Sequence, residues 1–107
     1  MKNTLQEIKD KLSADGSISQ EKKNELLAML DDLQDEITSV ESVEHAENIT
    51  GHVSRSTDEV TKEDKDPDLI EKAIGDLRDS VTEFEVSHPK LFEKVNNISA
   101  MLASMGI

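Results

Sequence analysis

Three times along this chain, apolar residues recur at spacings of four, three, four and three. The sets are Leu26, Leu30, Leu33, Ile37 and Val40; Ile70, Ile74, Leu77, Val81 and Phe84; and Leu91, Val95, Ile98, Leu102 and Met105. This interval holds side chains on one face of an α-helix and is the seam spacing of helices packed at a shallow angle. A shorter stripe, Leu5, Ile8 and Leu12, precedes them, and no stretch alternates as a half-buried strand would. The pattern predicts an all-α protein: an antiparallel bundle of about four helices with a long second helix and coiled-coil-like seams.

Turn formers divide the stripes. The first helix, over residues 3–13, runs into Ser13-Ala14-Asp15-Gly16-Ser17, and the second starts from a cap at Ser17 or Ser19. Beyond Val40 the register shifts, because Glu44 and Glu47 take the next seam positions while Ala46, Ile49, Val53 and Val60 form a displaced stripe with Ser56 in its gap. Two readings follow. In one, the second helix continues over 19–62, roughly 65 Å at 1.5 Å per residue, and tolerates Gly51 at a cost of about 1 kcal/mol. In the other it spans 19–44 and a polar linker fills 45–66. The displaced stripe favours the long helix.

Asp66-Pro67, followed by Asp68 and Glu71, has the chemistry of a helix start, so a third helix is expected over 67–87. Pro89 disfavours helical geometry at His88, which makes Ser87-His88-Pro89 a tight turn into a fourth helix over 89–105. Gly106 is expected to form a left-handed cap on which Ile107 folds back. The 107 residues suit a single all-helical domain over 1–107.

Charge and composition exclude several functions. Asp and Glu number 24 against 12 Lys and Arg, a formal net charge of −12 that spares no basic surface for nucleic-acid phosphates. Two Phe, with no Tyr or Trp, leave no aromatic-lined ligand pocket. Zero cysteines remove disulfides, thiolate metal sites and thiol nucleophiles. The polar N-terminus and the lack of any stretch near the ~20 apolar residues a bilayer requires predict a cytoplasmic protein without membrane contact.

Three histidines and many carboxylates raise the possibility of metal chemistry. Glu41 and His45 are i,i+4 neighbours, and Glu85-Val86-Ser87-His88 is a literal Glu-x-x-His. Carboxylate-bridged di-iron bundles need that motif twice, and here a single copy meets Pro89. His88 is therefore read as bracing the turn, and His45 and His52 as facing solvent. Asp64-Lys65-Asp66-Pro67-Asp68 resembles the opening of a calcium loop, but Leu69 and Gly75 stand where a turn glycine and a bidentate Glu are required. Between Lys23 and Arg55 lie Glu25, Asp31, Asp32, Asp35, Glu36, Glu41, Glu44 and Glu47 with no basic residue among them, an acidic face suited to solvent or to a basic protein surface.

Phe84-Glu85-Val86-Ser87-His88-Pro89-Lys90-Leu91, followed by Val95, Ile98, Leu102 and Met105-Gly106-Ile107, resembles the bacterial family catalogued as domain of unknown function 4404. The likeness covers the whole chain, with the first two helices matching in their leucine pattern. It implies a small, cytoplasmic, helical protein without an assigned activity or ligand, and it offers no functional residues to carry over.

The sequence therefore predicts a non-enzymatic protein with no cofactor, catalytic or metal site. Its contacts would run through the seams Leu26, Leu30, Leu33, Ile37 and Val40 with Ile70, Ile74, Leu77, Val81 and Phe84. The expected partner is a second copy, with a dimer favoured, or another protein. Two alternatives stand beside it: a metal-binding protein or enzyme using His45, His52, His88 and carboxylates, and an acidic regulator of a basic protein surface.

Overall fold

Residues 2–14, 16, 18–62 and 64–106 are described in a computed structural model. Among them are five α-helices and no strand: α1 (Lys2–Ala14), α2 (Gln20–Ile37), α3 (Val43–Thr61), α4 (Pro67–Asp79) and α5 (Pro89–Gly106). A 3-10 turn, Thr82–Phe84, lies between α4 and α5. Ser19 caps α2 by accepting the Lys22 amide, whereas the alternative cap at Ser17, and Ile107 beyond α5, lie outside the described residues.

The expected long second helix is instead two helices with a sharp break at Thr38–Ser42. Hydroxyl groups bond the last carbonyls of α2 at this break. Thr38 Oγ1 donates to the Asp35 carbonyl at 2.7 Å and Ser39 Oγ to that of Glu36 at 2.6 Å, while the amides of Ser39 and Val40 tighten onto carbonyls three residues back. Such bonds compete with continued helix. Ser42 then restarts the chain, its Oγ accepting the His45 amide at 3.3 Å. The register shift beyond Val40 is this change of direction, and 43–61 is neither a continuation of α2 nor a linker. A helix of roughly 65 Å would not fit, because the longest dimension of the molecule is 36 Å.

The third predicted helix also ends early, at Asp79 rather than 87. Ser80 Oγ and Thr82 Oγ1 donate to the carbonyls of Leu77 and Arg78, and Val81 leaves helical geometry at φ −111°, ψ 0°. The following turn is 3-10, with the Phe84 amide bonding the Val81 carbonyl at 2.9 Å. Three residues per turn eclipse positions 81 and 84, so Val81 and Phe84 both stay in the core although the α-helix has ended. Pro89 opens α5 as expected.

The helices pack antiparallel-like around one hydrophobic cluster to which all five contribute. α5 packs against α2, α3 and α4, and α1 bridges α2 and α3. Lys9 of α1 pairs with Asp31 of α2, and Lys11 with Asp58 of α3, so α1 is flanked by ion pairs on both sides. The radius of gyration, 12.8 Å, matches the roughly 13 Å of a folded chain of about 100 residues. Among the described residues, no helix is long and apolar enough to cross a membrane.

Candidate functional site: a polar cleft and an apolar groove flanking α4

The residues expected to form contact seams lie inside the chain. Leu26, Leu30, Leu33 and Ile37 of α2, Ile70, Ile74 and Leu77 of α4, and Val81 and Phe84 of the following turn are all buried, none more than 7% exposed. Val40, in the break after α2, is half-buried against the same cluster. These side chains satisfy one another within one copy, so the seams serve as core, and Ile70 and Ile74 keep only a narrow edge at the surface. The displaced stripe of α3, Ala46, Ile49, Ser56, Val53 and Val60, is buried as well.

Two concave regions of the described surface are bordered by residues of α4. The first is a polar cleft of about 460 Å³ lined by His45, Asn48 and His52 of α3, and by Asp79, Ser80, Thr82 and Glu83 at and after the end of α4. Positions 45, 48 and 52 share a helix face. The early end of α4 swings Thr82 and Glu83 toward that face. His45 Nε2 lies 3.8 Å from Glu83 Oε1, an ion pair when the ring is protonated. Phe84 meets the rings of His45 and His88 edge-on, with centroids 5.5 and 5.6 Å away. The three histidines thus divide into two that line the cleft, half-buried rather than fully solvent-facing, and one that braces the turn.

The cleft assembles little reactive chemistry. Ser80 Oγ is committed to the Leu77 carbonyl at 2.6 Å and Thr82 Oγ1 to that of Arg78 at 3.3 Å, so neither hydroxyl is poised toward a histidine. Among the described residues, no group of three His, Cys, Asp or Glu side chains is placed to hold a metal ion. At the calcium-like stretch, Asp66 accepts the amides of Asp68 and Leu69 at 3.0 and 3.4 Å, the geometry of a helix cap.

The second concavity is an apolar groove between α4 and α5, also of about 460 Å³, lined by Pro67, Ile70, Glu71, Ile74, Gly75, Arg78 and Ala103. Its volume falls within the range of ligand pockets, but only Glu71 and Arg78 supply polar groups to it. Sequence reasoning placed Gly75 beside the seam and missed the groove. The available signal was a mid-helix glycine next to Ile74, bracketed by opposite charges two turns apart.

The acidic stretch between Lys23 and Arg55 is partly neutralised across the bundle. Asp31 pairs with Lys9, and Asp32 with Lys94 of α5 at 3.6 Å. Arg55, at its end, reaches Asp76 of α4 at 3.3 Å.

A family model described as Domain of unknown function (DUF4404) matches residues 1–107, the whole chain. The chain belongs to this family. Comparison with curated proteins and with solved structures gives no match. As a DUF4404 member, then, the protein has an all-α bundle and a family whose description assigns no chemistry, and its function has to be argued from its surface.

Proposed function

We propose that this DUF4404 protein is a non-enzymatic helical module that acts by self-association, with a homodimer favoured over a larger assembly. The observation that carries this reading is the α4–α5 groove. Its lining is mainly apolar, and its bounding charges, Glu71 and Arg78, are of opposite sign on a chain that is otherwise strongly acidic. With the α2 seam consumed inside the chain, the groove edge of α4, where Ile70 and Ile74 reach the surface, is the face this reading assigns to association. The acidic outer faces limit unspecific contact between copies. A cytoplasmic setting belongs to the same reading, supported by the cysteine-free composition.

The test is the solution mass of the full chain from micromolar to millimolar concentration, by light scattering or sedimentation. Self-association raises the mass from 11.9 kDa toward twice that value. A mass constant at 11.9 kDa over the whole range overturns the reading. Metal content of the purified protein checks the non-metal part independently, with a substoichiometric value expected.

A second reading is favoured by one observation, the meeting of His45, His52, Asp79 and Glu83 around the polar cleft. There the protein would hold a small polar ligand through hydrogen bonds from both imidazoles. Titration of the histidine ring resonances with a small neutral polyol such as glycerol is the direct probe. Saturable shifts confined to His45 and His52 would support this reading, and uniform weak shifts would remove it.

A further inference from the structure

Gly75 stands in the interior of α4, where glycine costs about 1 kcal/mol relative to alanine. A Cβ built there meets no atom within 4 Å, and no glycine among the described residues has positive φ. Nothing inside the chain therefore requires this glycine. It lines the groove against α5, between Glu71 four residues before it and Arg78 three residues after it. Seven residues are nearly two full helical turns, so Glu71 and Arg78 project from the same face about 10 Å apart along the axis. Both are exposed, and neither has an ion-pair partner among the described residues.

We propose that the groove receives α4 of a second copy of this chain, in an antiparallel two-fold pairing centred between Ile74 and Gly75. The inference rests on the self-association reading and adds the surface and its geometry. A two-fold axis through that point brings Glu71 opposite the partner's Arg78, and Arg78 opposite the partner's Glu71, two ion pairs from one operation. A parallel pairing would set like charges face to face. The missing side chain at position 75 lets the two helices approach toward the lower end of the ordinary 8–10 Å interaxial range. Charge complementarity is thus local, a balanced patch on a molecule of net charge −12, whose other faces repel. A contact built on one helix and one groove belongs to the small class below about 1,200 Å² in total, so the dimer is weak and exchanging.

The test compares dimerisation of the 107-residue chain with that of Glu71→Arg, Arg78→Glu, the double variant and Gly75→Leu, each checked for helicity by circular dichroism. Glu71→Arg is decisive because it lowers the net negative charge and so reduces overall repulsion between copies, yet sets Arg against Arg across the contact. Each single reversal is expected to weaken the dimer about tenfold or more, and the double variant to regain most of that loss. Gly75→Leu is expected to abolish it while remaining helical. If the unaltered chain dimerises and the single reversals dimerise equally well, or the double variant fails to recover, this surface or its antiparallel geometry is wrong while self-association stands. An unaltered chain that stays monomeric to millimolar concentration overturns both.

Discussion

Ser56 of α3 donates its hydroxyl to the main-chain oxygen of Ala73 on α4 at 3.1 Å, with both residues fully inside the core. This bond ties the helix that carries His45 and His52 to the helix that lines most of the groove. It also explains why a serine occupies the gap in the stripe Ala46, Ile49, Val53 and Val60: a small side chain lets the α4 backbone come close. Ser56→Ala removes the bond while keeping the packing, and is expected to cost about 1 kcal/mol. In a domain of this size that lowers the melting temperature by several degrees, read by thermal circular dichroism. Ser56→Leu is expected to cost more, because the added volume has to push α3 and α4 apart.

Leu33 lies at the centre of the α2 stripe with no solvent exposure. Leu33→Asp buries a charge without a partner, and is expected to unfold the chain as a monomer rather than to dissociate an intact one. Far-ultraviolet circular dichroism should show most helicity lost at every protein concentration. Retained helicity with only a change in mass would mean that the α2 stripe faces another copy.

The cap at Ser42 sets where α3 begins. Ser42→Ala deprives the His45 amide of its acceptor, with an expected loss of about 1 kcal/mol. Amide hydrogen exchange should accelerate first in the opening turn of α3, and much less in α5. Uniform acceleration across all helices would show that α3 has no local stability of its own.

Gly51 is exposed within α3, and a Cβ there meets nothing within 4 Å. Gly51→Ala is expected to stabilise the fold by about 0.5–1 kcal/mol, through helix propensity and a less flexible unfolded chain. The melting temperature should rise with no change in solution mass. A fall would indicate that α3 departs from regular helix at this point.

The helices and their buried faces were largely legible in the sequence, for a reason visible in particular residues. Burial of Ile70, Ile74 and Leu77 follows from spacing alone, since one side of a regular helix has to be covered whatever covers it. Asp66-Pro67 and Pro89 were equally legible, because capping and the missing proline amide act within a few residues. The break at Thr38–Ser42 was harder to read. Its hydroxyl–carbonyl bonds were available to Thr38 and Ser39 in either arrangement, and the apolar spacing of Ala46, Ile49 and Val53 is the same whether α3 continues α2 or turns away from it.

The sequence by itself determined that this chain is helical, which face of each helix is buried, and that it carries a net charge of −12 and no cysteine. These are local or compositional properties. Only the tertiary structure decided that the seams close on one another inside a single chain, that the expected long helix folds back, and that His45 and His52 share a cleft with Asp79 and Glu83. It alone decided, too, that Gly75 faces an open groove. Which buried face meets which depends on the short chain reversals at Thr38–Ser42 and Ser80–His88, and their direction is set by the packing of helices distant in sequence.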